Sequence, residues 1–463
     1  MRVAIPLVVA CAALGACAPV TFSPFLLGAP RAGTALWVWN TPQLLEVESH
    51  QRQLLDFARD HGISTLWVQI TTSRPRAAQH TPPEVTNASA WREFLTRAHA
   101  AGMIVSALDG DPTYALATRH AIPLGIAEAV VAFNRSAPPP ARFDGIHFDI
   151  EPYLLPQWQE RRGRERLLGE YLALVAEVRR RTLEQGLVYT VDVPFWWHLV
   201  DDATGDTHAA VTFQGKRQSA TLHLLEHVDG VTLMNYRNEA DGPDGLVANA
   251  MDLLAAADRM GRGFVRIGVE TAPMLPEQIW FVLGPQDTDL PGLIEGEIGI
   301  LTEPRRVRVF NDGTRVHLGV PVSTGAASEG MSGGAPPPQL VALARRFGVA
   351  ESSPRVLEAE GRAVARMDGD AEWGDVRVRP IPDPERRRTY RGISATYTPS
   401  RKTTFATRPP GDMAKELGDA DAVFRTFASY RGLAIHDYEA YRALGGRVPP
   451  RASGAARVTG LLR

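Results

Sequence analysis

Apolar and polar positions alternate with a period of two in short runs that recur along the whole chain. The runs are Thr34 to Asn40, Ser64 to Ile70, Met103 to Asp109, Phe143 to Glu151, Val188 to Pro194, Val228 to Tyr236, Phe264 to Thr271 and Gly432 to Tyr438. Each reads as a β-strand. Between them the apolar spacing turns helical. Gln51 to His61 and Ser89 to Ala101 are each followed by a glycine, Gly62 and Gly102, suited to a helix C-cap. Leu167, Leu168, Tyr171, Leu172, Leu174, Val175 and Val178 share one helix face, and Met413 to Phe427 predicts the helix before the last strand. Strand–helix alternation carried through eight units predicts an α/β fold, a (β/α)8 TIM barrel of about 250 residues.

Strand parity separates two environments. Leu36, Val38, Leu66, Val68, Val191, Val193, Ile267, Val269, Leu433 and Ile435 are aliphatic and are expected to face the helices. The opposite parity gives Trp37, Trp39, Trp67, Gln69, His147, Asp149, Glu151, Asp192, Met234, Tyr236, Glu270, His436 and Tyr438. Aromatic rings with carboxylates are what a sugar-binding cleft uses, since rings stack on pyranose faces and carboxylates accept hydroxyl hydrogen bonds. Trp196 and Trp197, just past the fifth strand, are further stacking candidates. The third strand does not separate by parity: Ser106, Leu108 and Asp109 mix the two classes.

The interval between the seventh and eighth strands breaks the rhythm. Residues 275–400 hold a hairpin-like run from Arg306 to Val320 turning at Asn311-Asp312-Gly313, a Gly/Pro-rich stretch from Gly325 to Pro338, and a helix-like patch from Gln339 to Arg346. They predict a β-rich insertion, a subdomain or lid. Lys402 to Thr407 then resumes a strand-like run. The barrel is thus expected over 33–274 and 401–446, with a disordered Pro/Arg/Gly-rich tail at 447–463. The 463 residues carry a formal net charge of −2. Near-neutrality without a basic run argues against nucleic acid as the main partner. No cofactor or metal is expected, and the chain reads as a monomer.

The richest motif is Asp144-Gly145-Ile146-His147-Phe148-Asp149-Ile150-Glu151-Pro152. Ile146, Phe148 and Ile150 fall on one face; His147, Asp149 and Glu151 fall on the other. Pro152 cannot donate to a ladder, so the strand should end there with Glu151 at its lip, where barrel enzymes keep catalytic groups. The stretch resembles the DGxDxDxE signature of family 18 glycoside hydrolases, the chitinase-like barrels, and Met234-Asn235-Tyr236 resembles that family's M-x-Y element. The resemblance implies Glu151 as general acid, Asp149 as the residue orienting a substrate acetamido group, and Tyr236 as its hydrogen-bond donor. His147 stands where that family has Asp, and Arg237 follows where Asp is usual. The barrel also resembles the retaining-glycosidase clan with its acid on strand four and nucleophile on strand seven. On that reading Glu270 is nucleophile, or base through a water, opposite Glu151. Trp37, Trp67, Gln69, His147, Asp192, Trp196, Asn235, Arg237 and His436 complete the expected substrate-binding set. Two other uses of the same residues stay open: Asp149 and Glu151 paired with Arg237 or Arg266, or His147, Asp149 and Glu151 around a divalent metal.

The expected function is cleavage of a polysaccharide or glycan; the rival class is a non-catalytic carbohydrate-binding barrel that kept the cleft. The N-terminus sets the expected compartment. Arg2, the apolar Val3 to Leu14 and the run Leu14-Gly15-Ala16-Cys17 resemble a bacterial lipoprotein signal, with cleavage before Cys17 and lipid on its thiol. The other reading is a secretory signal cut after Ala16 or Ala18. Residues 18–32 would be a tether, and both cysteines, Cys11 and Cys17, would lie outside the fold. Ala18 favours the outer membrane of the cell envelope. Mass spectrometry of the native N-terminal peptide should find lipidated Cys17; an unmodified start elsewhere would refute the anchor.

Overall fold

The computed structural model describes residues 33–73, 83–159, 161–201, 204–274, 277–284, 308–311, 316–322, 341, 371–409 and 411–445. The expected signal, Cys17, the tether, the 325–338 stretch, all but one residue of the 339–346 patch and the tail lie outside the described residues.

Eight parallel strands close into a barrel: β1 (Thr34–Val38), β2 (Ile63–Gln69), β3 (Ile104–Asp109), β4 (Gly145–Phe148), β5 (Val188–Pro194), β6 (Gly230–Met234), β7 (Phe264–Glu270) and β8 (Tyr430–His436). Each pairs with its sequence neighbours, and β8 pairs with β1. The principal intervening helices are α1 (Glu48–Asp60), α2 (Ala88–Ala100), α3 (Ala121–Ser136), α4 (Arg161–Leu183), α5 (Ala220–His227), α6 (Leu246–Met260) and α7 (Asp412–Phe424), with α8 (Tyr438–Ala443) after β8. Gly62 and Gly102 take φ of 65° and 79° just past α1 and α2, the left-handed conformation that ends a helix. Strands at 277–284, 308–311, 316–322, 371–383 and 388–399 form an antiparallel five-stranded sheet.

The aliphatic parity packs under the helices, as burial of branched side chains against an amphipathic helix requires. The third strand resolves the same way: Val105 and Ala107 join that outer layer, while Leu108 lies inside with Trp37 and Trp67.

Three expectations are corrected. Lys402 to Thr407 is not a strand but two short 3-10 turns, Arg401–Thr403 and Phe405–Thr407. Tyr438 lies outside the cleft, opening α8 with its ring against Phe57, because β8 stops at His436. β4 stops at Phe148, short of Glu151. Asp149 N–H still bonds Asp109 C=O at 3.0 Å, and Pro152 then opens a 3-10 turn, Pro152–Leu154.

Two strands enter the barrel on the same dipeptide. Asp144 Oδ2 accepts Val105 N–H at 2.7 Å and bonds His99 Nε2 at 2.9 Å. Asp229 Oδ2 accepts Tyr189 N–H at 2.8 Å, and Arg179 grips the same carboxylate at 2.5 and 2.8 Å. Each Asp thus ties the base of its strand to the preceding one. The glycines that follow leave no room for a side chain. A Cβ on Gly145 would sit 2.3 Å from the Val188 carbonyl oxygen, and one on Gly230 2.4 Å from the Phe264 ring. Gly145→Ala should therefore lower stability by about 1–3 kcal/mol. Gly169→Ala, in α4 with open space around it, should raise it by about 0.5–1 kcal/mol. Urea unfolding midpoints of the two variants check both signs.

Candidate active site

The barrel interior is stacked in levels, starting from a buried cation. Arg266 on β7 is 1% exposed. Its guanidinium donates to the carbonyls of Gly33 and, at 2.8 Å, Arg431, so it caps the open ends of neighbouring strands. Burial pulls its pKa down to about 10.

Above it, register sets His147 beside Thr190 on the adjacent strand. His147 Nδ1 meets Thr190 Oγ1 at 2.7 Å and Nε2 meets Asp192 Oδ2 at 2.9 Å. Its ring lies flat on Trp67, centroids 3.9 Å apart and planes within 6°. Trp37 Nε1 donates to the same Asp192 oxygen at 3.1 Å. Gly268 leaves room for that indole, since a Cβ there would touch it at 3.0 Å. Burial drives the pair toward neutrality from both sides. Asp192 is pushed well above the usual carboxylate range, with Glu151 adding to the rise, and His147 is held well below the ordinary imidazole value, helped by Arg266.

The top level opens at the C-terminal ends of the strands. Glu270 and His436 are register partners on β7 and β8. Glu270 Oε2 meets His436 Nδ1 at 2.9 Å, while Oε1 accepts Thr271 N–H at 2.8 Å and Ala272 N–H at 2.7 Å. Trp39, half-buried past the end of β1, donates from Nε1 to His436 Nε2 at 3.0 Å. Two influences oppose each other at that ring. Burial lowers its pKa, but Glu270, Asp437 and Asp149 outweigh burial and raise it to about 9. An indole N–H only donates, so the Trp39 contact requires a bare Nε2 and a neutral ring with its proton on Nδ1. Protonation of Nε2 and the Trp39 contact therefore exclude each other, and the charged ring that Glu270 favours must release the indole.

Glu151, at the turn after β4, is partly exposed and accepts the Tyr153 hydroxyl on Oε1. Burial raises its pKa, against the Tyr153 bond and the charge of His436. Gly110 lets the chain after β3 pass against Asp149, since any Cβ there would collide with the Asp149 carbonyl at 2.0 Å. Tyr236 gathers the site electrostatically: its hydroxyl is kept protonated by burial and by Glu270, Asp149, Asp192 and Glu151 together.

The fold thus brings Glu151, Asp149, Glu270, Tyr236, Asp192, His147 and His436 into one electrostatically connected group. The rest of the expected set divides. Trp37 and Trp67 are 1% and 2% exposed, so they build the floor and leave no ring face for a sugar. Trp197 is fully buried, stacked on Trp158 with centroids 5.6 Å apart, whereas Trp196 keeps partial exposure. Asn235 is buried and spent on structure, donating to Leu246 C=O at 2.7 Å and accepting from Asn249 at 3.2 Å. Arg237 bonds Asp244 at 2.8 Å and covers the Phe195 ring at 4.5 Å. Gln69 accepts Asn40 N–H at 2.9 Å at the edge of the mouth. Sequence reasoning missed Tyr153 and left Trp39 out of the substrate-binding set, although Trp39 shares the inward parity. Among the described residues no group of three or more His, Cys, Asp or Glu could hold a metal ion, and no helix is long and apolar enough to cross a membrane.

No protein-family model and no curated protein matches the sequence. The chain is similar to solved structures of chitinases and of a spore cortex-lytic enzyme. With the chitinase of Chromobacterium violaceum it shares 11% identity over 89% of this chain and 97% of that one, at a TM-score of 0.37. With a GH18 chitinase of Cycas revoluta the values are 11%, 89% and 96%, at 0.39. With the cortex-lytic enzyme SleL of Bacillus megaterium they are 12%, 92% and 75%, at 0.35. Likeness at this distance assigns no activity.

The floor generates a pH prediction. His147 is held unprotonated in the fold, whereas in the unfolded chain it titrates near 6.5. The unfolded chain then binds the extra proton, so stability should fall below about pH 6.5, by up to about 1.4 kcal/mol per unit from this residue. Urea midpoints at pH 7 and pH 5 should show His147→Gln weaker at neutrality but with a flatter acid slope than the native protein.

Proposed function

We propose that this protein is a glycoside-hydrolase-like barrel that cleaves a polysaccharide or glycan, with Glu151 giving its proton to the leaving-group oxygen. The observation that carries the reading is the environment of Glu151. The residue is partly exposed at the turn after β4, yet burial favours its protonated form, which a general acid needs near neutral pH. As the glycosidic C–O bond breaks, positive charge grows on the sugar ring. Asp149 and Glu270, both close enough to act on Tyr236, would stabilise it, and Tyr236 would supply a hydroxyl donor for a substrate oxygen. Trp196 and Trp39 are the ring faces available at the mouth. We place the enzyme in the bacterial envelope, anchored by lipid on Cys17, with an envelope or exported polysaccharide as substrate.

One observation favours the rival reading of a carbohydrate-binding barrel without turnover. Both oxygens of Glu270 are already engaged, so it serves less readily as a nucleophile.

Glu151→Gln separates the two. The change keeps the shape and removes the ionisable proton. Turnover of envelope and exopolysaccharide substrates should fall about 100- to 10,000-fold, with the thermal midpoint and glycan binding retained. A variant as active as the native protein would overturn the acid role, whereas a native protein that binds glycan without turnover would leave the binding module.

A further inference from the structure

The turn after β4 does more than end a strand. Pro152 opens it, and Leu154 N–H closes on Glu151 C=O at 3.0 Å. This curl carries the Tyr153 side chain back over Glu151, where its hydroxyl donates to Oε1. The ring behind that hydroxyl is braced. It meets Trp196 edge-on at 5.5 Å and Trp158 at 6.4 Å, and Trp158 is itself stacked on the buried Trp197. Trp196 and Trp197 belong to the loop after β5, so two neighbouring loops lock one phenol in place.

We propose that Tyr153 is the positioning residue of Glu151, engaging Oε1 so that Oε2 alone carries the proton toward the leaving-group oxygen. The proposal rests on the reading of Glu151 as general acid. In the step, the Oε2–H bond breaks, that proton bonds the leaving oxygen, the glycosidic C–O bond opens with its electron pair passing to that oxygen, and a water molecule bonds the freed sugar carbon while releasing a proton to solvent. Glu151 is left as a carboxylate. A hydrogen bond donated to a carboxylate is stronger than one to a neutral acid, so the Tyr153 bond tightens as charge develops on Glu151. Tyr153 can fill this role across the working range, because burial and the nearby charges of Glu151, Asp149 and Asp192 keep its phenol protonated. The same bond opposes the effect of burial on Glu151, so Tyr153 also sets how firmly the acid holds its proton.

Tyr153→Phe tests this on the full chain with two readouts. The first needs no substrate: the Glu151 side-chain carboxyl, labelled with carbon-13 and identified by its loss in Glu151→Gln, is titrated by NMR. Its midpoint should move up by about one pH unit, a tenfold gain in proton affinity. The second is the pH–rate profile, in which kcat should fall about tenfold or more with KM little changed, while the alkaline limb moves up by the same unit. Tyr153→His, which restores a donor, should recover part of both shifts. An unmoved Glu151 titration in a folded Tyr153→Phe protein would overturn the proposal. A Glu151→Gln enzyme that still turned over would instead defeat the acid reading, and the titration shift would stand apart from it.

Discussion

Everything in this barrel depends on keeping ionisable groups stable inside a closed sheet. Strand parity leaves no choice: if the aliphatic face goes under the helices, the His, Asp, Glu and Arg side chains go inside. Isolated charges there would cost several kcal/mol each. The molecule meets this with hydrogen bonds that run from strand to strand. Trp37 reaches from β1 to Asp192 on β5, His147 from β4 to Thr190 and Asp192, His436 from β8 to Glu270 on β7, and Arg266 from β7 to the carbonyls of Gly33 and Arg431. The polar lumen is therefore also a set of cross-links that holds the strands in register.

Floor and mouth use the same residue types differently. At the floor, burial holds both His147 and Asp192 toward their neutral forms, shut away among indoles. At the mouth, His436 stays partly open beside the buried Glu270, with Trp39 as a neighbour that either covers the imidazole or releases it. The difference is one of depth along the barrel axis. It turns one histidine into scaffolding and leaves the other able to meet a ligand.

Much of this was legible in the chain. All eight barrel strands, and the inward side of every one but the third, follow from period-two alternation, because a closed sheet with helices outside makes parity decisive. Depth was not legible. Trp37 and Trp39 differ by two residues and share parity, yet one is sealed and the other half-open. Only the register between strands, Trp37 beside Trp67 and Glu270 beside His436, sets that level. The motif around Glu151 stood out as an alternation of ionisable and apolar residues, but its geometry did not. The strand's early stop and the curl that brings Tyr153 back arise from Pro152 and from the aromatic cluster of another loop, which local pattern cannot report. Asp144 reads as part of a catalytic signature, yet its carboxylate clamps the far end of the barrel, and its partner at Asp229 shows that this is a repeated structural joint.

The plugged floor has a consequence for traffic. With Trp37 and Trp67 filling the lumen and Arg266 sealing its lower end, nothing can thread the barrel from one side to the other. Whatever enters from the upper end must back out the way it came, so departure of one occupant and arrival of the next compete for a single doorway.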